Sequence, residues 1–294
     1  MKNQKRITPS NFKLYGVFGF PLKHTLSPVM HQAAFNKLKL SSFYLALELA
    51  PNDFNRLMSL KKNILLDGFN LTIPHKQIVM PHLDSVSREA KLIGAVNTVI
   101  RKGNRFAGEN TDAYGFSKSL SEGLNWKSKG KTVLVLGAGG ASRACIYAFC
   151  RDGVKNIVIL NRTISKAKTL AKFFKRQFPK VRFAVDVFTS KNISELLPDV
   201  DMVVNATSIG LKRGDSALAA FPKSVGKQFA VDLIYNPAET PFLRAARRAK
   251  WQTLNGLGML LHQGAKAFEL WTGKKAPVEV MRKALHGRIA SVSL

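Results

Sequence analysis

Apolar positions along the chain fall into two alternating patterns. Short runs of four to eight apolar residues, the length of a buried strand, recur between segments in which apolar residues return every three or four positions, the period of a helix. Residues 14–20, 42–49 and 68–73 read as strands. Residues 28–38 read as a helix with Ser27 as N-cap and Pro28 in the first helical position. A second helix is predicted over 53–62, and residues 95–101 and 105–108 form a hairpin pattern around Gly103-Asn104. A polar stretch begins at Ser121 and leads into the most apolar strand of the chain, TVLVLGAGG, with a helix behind it. Further strands are predicted at 156–162, weakly at 181–187, and at 201–208 and 229–235, with a long basic helix following the first of these. A helix-rich region starts near residue 258. The continuous Val/Ile/Leu runs suit parallel strands covered on both faces. The alternation of strand and helix gives an α/β class with two domains, the second beginning near 115–130 and the last helices returning to the first.

Composition narrows this picture only a little. The 294 residues suffice for one large or two ordinary domains, and 46% hydrophobic content excludes a disordered chain. Cys145 and Cys150 lie five apart in one predicted helix, which fits neither a CxxC redox motif nor a zinc site; a reducing cytoplasm is expected. The first dozen residues are basic, but no long apolar core or small-residue cleavage site follows them, and no run approaches the roughly 18 apolar residues of a membrane span. The expectation is a soluble chain with a short basic extension. With 46 Lys and Arg against 18 Asp and Glu the formal net charge is +28, but the cations are spread along the chain and no nucleic-acid motif accompanies them. A dedicated nucleic-acid partner is therefore not expected; a positive field would help collect an anionic small molecule.

The chemistry concentrates in a few motifs. Gly137-Ala138-Gly139-Gly140-Ala141-Ser142 opens a helix directly after a strand, the setting of a dinucleotide fingerprint. Gly137 allows the turn, Gly139 lets the backbone approach a pyrophosphate, and the helix N-terminus receives the charge. The next strand ends in Asn161-Arg162-Thr163, with Lys166 nearby, where an NAD-selective site carries an acid. A guanidinium there suits the 2′-phosphate of NADP. In the first half, GFPLKHTLSPVMH places Thr25 and Ser27 beside a helix start, a setting for a carboxylate. GFNLTIPHK puts Thr72 and Lys76 just past a strand end, and VNT puts Asn97 at another. GENTDAYG sets Asp112 before a helical run, as an N-cap or as one half of a catalytic pair.

Taken in order, GFPLKHTLSP, GFNLTIPHK, GAVNTV, GENTDAYG, GAGGAS, NRT, NATSIG, DLIYNPAET and GLGMLLHQGAKAFELWTG give a chain that closely resembles the shikimate dehydrogenase family from about Tyr15 to Gly273. The resemblance implies a substrate-binding and catalytic domain over 1–114, completed by helices of 258–294, and a Rossmann-type NADP domain over 115–257, with the active-site cleft between them. It implies reversible NADPH-dependent reduction of 3-dehydroshikimate to shikimate, on the route to chorismate and aromatic amino acids, with no metal. Matched residue by residue, Lys76 is the catalytic lysine and Asp112 its partner. Thr25 and Ser27 hold the substrate carboxylate; Thr72, Asn97, Asp112 and Gln263 bind the ring hydroxyls. Gly137, Ala138, Gly139, Gly140 and Ala141 form the pyrophosphate turn. Asn161, Arg162, Thr163 and Lys166 form the 2′-phosphate site, and Thr207, Ser208, Tyr235, Gly256 and Met259 line the nicotinamide pocket, Tyr235 counting also as a substrate contact. The family includes monomers and homodimers. Thr25 stands where a serine is usual, and its extra methyl bears on substrate range. Hence a quinate/shikimate dehydrogenase with broader substrate and cofactor use is the nearest alternative, against which Arg162 argues. Intact Lys76 and Asp112 disfavour a catalytically silent member of the fold.

Overall fold

The computed structural model describes residues 12–22, 25–212 and 214–292. The expected basic extension lies almost wholly outside them. The chain divides into two compact units, Met1–Thr111 with Gly264–Leu294, and Asp112–Gln263.

The first unit is built on a mixed six-stranded sheet. Its strands are β1 (Lys13–Gly19), β2 (Ser42–Glu48), β3 (Gly68–Leu71), β4 (Ser85–Val86), β5 (Thr98–Lys102) and β6 (Arg105–Glu109), in the order β2-β1-β3-β5-β6-β4. The chain leaves β1 through helix α1 (Ser27–Lys37) to β2 on one side, then returns through α2 (Pro51–Ser59) to β3 on the other. That reversal of direction beside β1 is a topological switch point, where open α/β sheets bind ligands outside their carboxyl ends. β5 runs antiparallel to β3 with Thr98 opposite Asn70, and β6 antiparallel to β5 with Glu109 opposite Thr98. The ends of β1, β3 and β6 and the start of β5 therefore meet along one edge. The hairpin forms at Gly103-Asn104 as its pattern predicts, with Lys102 opposite Arg105. Phe18, Phe54, Phe69 and Phe106 fill the core beneath.

The second unit carries β7 (Thr132–Leu136), β8 (Asn156–Asn161), β9 (Arg182–Val187), β10 (Met202–Asn205), β11 (Phe229–Asp232) and β12 (Gln252–Leu254), each paired in parallel, in the order β12-β11-β10-β7-β8-β9. Read from the other end this is the Rossmann order 3-2-1-4-5-6. Val133 to Leu136 and Met202 to Val204 are fully buried, as strands covered on both faces must be.

Several predicted boundaries move. Ser27 is not the N-cap of α1: Leu26 holds that position with no side-chain cap, and Ser27 is the first helical residue. The helix from Asp112, α5 (Asp112–Leu124), runs past the polar stretch at Ser121 because Leu120 and Leu124 keep its inner face buried. α2 ends at Ser59, and Lys61–Asn63 continues as a 3-10 turn. The α4 helix (Arg88–Ile93) and the two short strands β4 and β12 gave no periodic signal long enough to predict.

Candidate active site

In the first unit the candidate residues sit at the switch point and along the edge beside it. Thr25 and Ser27 follow β1; Thr25 Oγ1 accepts a hydrogen bond from the Ser27 N–H at 3.4 Å. Thr72 follows β3, its N–H donating to the Phe18 carbonyl. Lys76 lies half-buried in the short helix α3 (His75–Ile78), and its backbone carbonyl accepts from the Val96 N–H at 2.8 Å, which ties the lysine turn to the loop that carries Asn97. Neighbouring His75 is buried, stacked on Phe54 with its Nε2 on the Leu49 carbonyl; burial lowers its pKa.

Asn97 is 1% exposed and its carboxamide is fully directed. Its Oδ1 accepts from the Thr111 N–H at 2.7 Å and from Thr98 Oγ1 at 3.0 Å, so its Nδ2 is the donor, bonded to Thr111 Oγ1 at 3.0 Å. The sequence reading passed over three residues of this edge: Asn70, Thr98 and Tyr44. Asn70 donates to Thr98 Oγ1 at 3.0 Å and accepts from the Tyr44 hydroxyl at 2.8 Å. The available signal was an asparagine inside the apolar strand GFNL, since a buried amide must be hydrogen-bonded.

In the second unit Asp112 opens α5 and is buried. Gln263, also buried, donates through Nε2 to the Leu260 carbonyl within α10 (Leu257–Thr272). Met259 lies in the same helix, and Gly256 just precedes it. A Cβ on Gly256 would lie 1.9 Å from the Leu233 carbonyl oxygen, so only glycine fits. Tyr235 is half-buried beyond the end of β11.

The glycine turn follows β7 at this sheet's own switch point, between β7 and β10. Gly137 has φ of +105°, a conformation that disfavours side chains, and packs against Ala206 and Thr207 from the end of β10. Gly139 is the exposed N-cap of α6 (Gly140–Arg151), which has no side-chain cap. Its first N–H groups with Ala138, Gly140 and Ala141 around them thus fit an anionic pyrophosphate. At the end of β8, Asn161 fixes the backbone by donating to the Thr163 carbonyl at 2.9 Å, while Arg162, Thr163 and Lys166 are exposed. No acid stands between Asp152 and Asp186, so this strand end fits a ligand carrying extra negative charge.

Thr207 donates to Asn205 Oδ1 at 2.7 Å and accepts from the Ile209 N–H, leaving Ser208 exposed beside it. Behind them lies another buried group absent from the sequence reading. Asn205 donates to Asp232 Oδ1 at 3.1 Å, and Thr240 donates to Asp232 Oδ2 at 2.6 Å. Burial raises the Asp232 carboxyl pKa while these bonds oppose the rise. Among the described residues no helix is long and apolar enough to cross a membrane, and no three His, Cys, Asp or Glu side chains gather as a metal site.

Comparison with known proteins matches three segments of the chain to one family. Residues 17–99 match the shikimate dehydrogenase substrate binding domain, 119–235 the shikimate / quinate 5-dehydrogenase domain and 256–286 the shikimate 5'-dehydrogenase C-terminal domain. The shikimate dehydrogenase (NADP(+)) of Carboxydothermus hydrogenoformans is 46% identical over 275 residues, covering 93% of this chain and 96% of that protein. Shikimate 5-dehydrogenase from Thermus thermophilus, solved in complex with NADP(H) and shikimate, superposes with a TM-score of 0.78 at 37% identity, covering 94% of this chain and 99% of the other. Quinate dehydrogenase from Corynebacterium glutamicum, solved with NAD, gives a TM-score of 0.83 at 31% identity, covering 94% and 100%. With the switch-point sheets, the glycine turn and these matches together, the chain belongs to the shikimate dehydrogenase family.

Proposed function

We propose that this chain is an NADP-dependent shikimate dehydrogenase of the cytoplasm, reversibly reducing 3-dehydroshikimate to shikimate with NADPH. The observation that carries the choice of cofactor is the end of β8, where Arg162 stands in place of an acid, with Thr163 and Lys166 exposed beside it. The 2′-phosphate is bound there, and the pyrophosphate rests on the N–H groups of Gly137 to Ala141. Thr207, Ser208, Tyr235, Gly256 and Met259 line the nicotinamide pocket. Thr25 and Ser27 take the substrate carboxylate, and Thr72, Asn97 and Gln263 take the ring hydroxyls, Tyr235 adding a further contact.

The nicotinamide supplies the hydride when bound, which leaves the protein to orient the substrate and to move one proton. Lys76 gives that proton to the carbonyl oxygen as it becomes an alcohol, and its neutral amine takes it back in the reverse direction. Asp112 orients the ammonium and accepts a hydrogen bond from a ring hydroxyl. The partner is thus a small anionic molecule, and the working unit is a monomer or a homodimer. Incubating the purified chain with shikimate and NADP and identifying the product tests the reading: 3-dehydroshikimate formed together with reduced cofactor is expected, and no product under saturating conditions refutes it.

A further inference from the structure

The parallel ladder between β10 and β11 ends where the Leu233 N–H donates to the Asn205 carbonyl at 3.0 Å. Past that point, among the described residues, no backbone bond joins the two segments, and one side chain takes over. Asp232, the last residue of β11, turns its carboxylate onto three donors. Oδ1 accepts from the Ile234 N–H at 3.0 Å and from Asn205 Nδ2 at 3.1 Å. Oδ2 accepts from the Thr240 hydroxyl at 2.6 Å, and the Thr240 oxygen in turn caps the helix Pro241–Arg248 by accepting from the Leu243 N–H. Asn205, Asp232 and Thr240 are each 0% exposed, so none of these bonds is easily exchanged for one to water.

Each bond leads to a different wall of the proposed nicotinamide pocket. Asn205 leads to Thr207, whose N–H and hydroxyl both donate to Asn205 Oδ1, at 3.1 and 2.7 Å. Ile234 leads to Gly256, whose N–H donates to the Ile234 carbonyl at 3.0 Å just before α10 and Met259. Thr240 closes the segment that carries Tyr235 onto the same carboxylate. Asn205 does not need Asp232 to orient its amide, because the Thr207 N–H and the Ile209 carbonyl already do so. Asp232 adds the tie between the Thr207 segment and the Tyr235 segment, and it supplies the acceptor for the first N–H past the end of the ladder.

We propose that Asp232 is a positioning residue for the nicotinamide end of the cofactor. One carboxylate keeps Thr207, Tyr235 and Gly256 in fixed relation, and being wholly buried it acts only through them. The proposal rests on the roles given above to Thr207, Ser208, Tyr235, Gly256 and Met259. Without the carboxylate the Ile234 N–H and the Thr240 hydroxyl lose their acceptor inside the protein, and the segment between them must move to find others.

The test separates the two ends of the cofactor. Adenosine 2′,5′-bisphosphate carries the 2′-phosphate and no nicotinamide. In Asp232→Ala we expect Kd for NADPH to rise about tenfold, as the loss of a buried acceptor implies, with Kd for adenosine 2′,5′-bisphosphate unchanged. The kcat for shikimate oxidation should fall about tenfold, since a misplaced ring is a poor hydride acceptor. Thr240→Val, which removes only the bond to Oδ2, should weaken NADPH about threefold and spare the bisphosphate, and it serves if Asp232→Ala does not fold. Unaltered NADPH affinity, or equal weakening of both ligands, would overturn the proposal. Amide exchange followed by NMR gives a readout that needs no ligand. The Ile234 and Gly256 amides should exchange about tenfold faster in either variant, while those of Leu134 and Val158 inside the sheet keep their rates. Unchanged exchange at Ile234 and Gly256, or equal acceleration throughout the sheet, would overturn the proposal. If the wild-type chain binds neither NADPH nor the bisphosphate, the functional reading fails while the exchange rates still decide the role of Asp232.

Discussion

At the carboxyl ends of β1 and β3 the polar side chains are buried and bonded to one another, whereas at the end of β8 they are exposed and Asn161 bonds only its own backbone. Asn70, Thr98 and Asn97 cannot turn without leaving a buried group unpaired, and in the proposed function this rigidity selects for the placement of the substrate's oxygens. In the proposed function Arg162, Thr163 and Lys166 recognise charge, and being exposed they do so in solvent, where salt weakens the attraction. Asn205, Asp232 and Thr240 show that the second unit also builds a buried polar group, but its bonds hold the loop at Thr207 that packs against Gly137. The proposed function thus has the small substrate read by fixed dipoles and the large cofactor by backbone N–H groups and exposed cations.

This contrast is sharpened first where the chemistry should be. Lys76→Ala should lower kcat about a thousandfold, the scale of a lost general acid, with substrate affinity changed only a few-fold. Equal losses in kcat and affinity, measured by steady-state kinetics and by direct shikimate titration, would move Lys76 from proton transfer to binding.

On the cofactor side, Arg162→Ala should raise KM for NADPH about 10- to 100-fold, the worth of a charge-assisted contact, and leave NADH nearly unaffected. Because Arg162 is exposed, the wild-type KM for NADPH should climb with added salt more steeply than that of the variant. If both cofactors weaken equally in the variant, Arg162 does not read the 2′-phosphate.

The smallest effect belongs to His31, whose buried ring is stacked on that of Tyr44. Burial pushes the His31 pKa down to about 3, against an ordinary value of 6.5. Between those values the unfolded chain binds a proton that the folded chain excludes, so this group's contribution to stability is complete above pH 6.5 and is lost as pH falls toward 3. Denaturant unfolding of wild type and His31→Leu at several pH values should show wild type losing more stability on acidification, by about 1 kcal/mol per pH unit. Parallel pH profiles would show that His31 is not held neutral in the fold.

The difference between the two sides also explains what the sequence could reveal. The cofactor side is local: a Val/Leu strand, a glycine turn and a helix follow one another from Thr132 to Arg151, and Arg162 ends the next strand. Such features are legible because neighbours in sequence are neighbours in space. The substrate edge is assembled by strand order, and Tyr44, Asn70 and Thr98 come together only because β2, β1, β3 and β5 lie side by side in that order. Alternating hydrophobicity marks each strand without saying which strands adjoin. Lys76, Asn97 and Asp112 could be picked out only through whole motifs. The capping role expected of Ser27 failed because the helix starts one residue earlier than the pattern predicts, with Leu26 at the cap position.

Comparing kcat/KM for shikimate and for quinate, each with NADP and with NAD, tests the central claim most directly. The account predicts that shikimate with NADP is the preferred pair, and that replacing NADP by NAD costs about 100-fold or more, the size of a lost phosphate clamp. Equal use of NAD and NADP, or a preference for quinate, would contradict it.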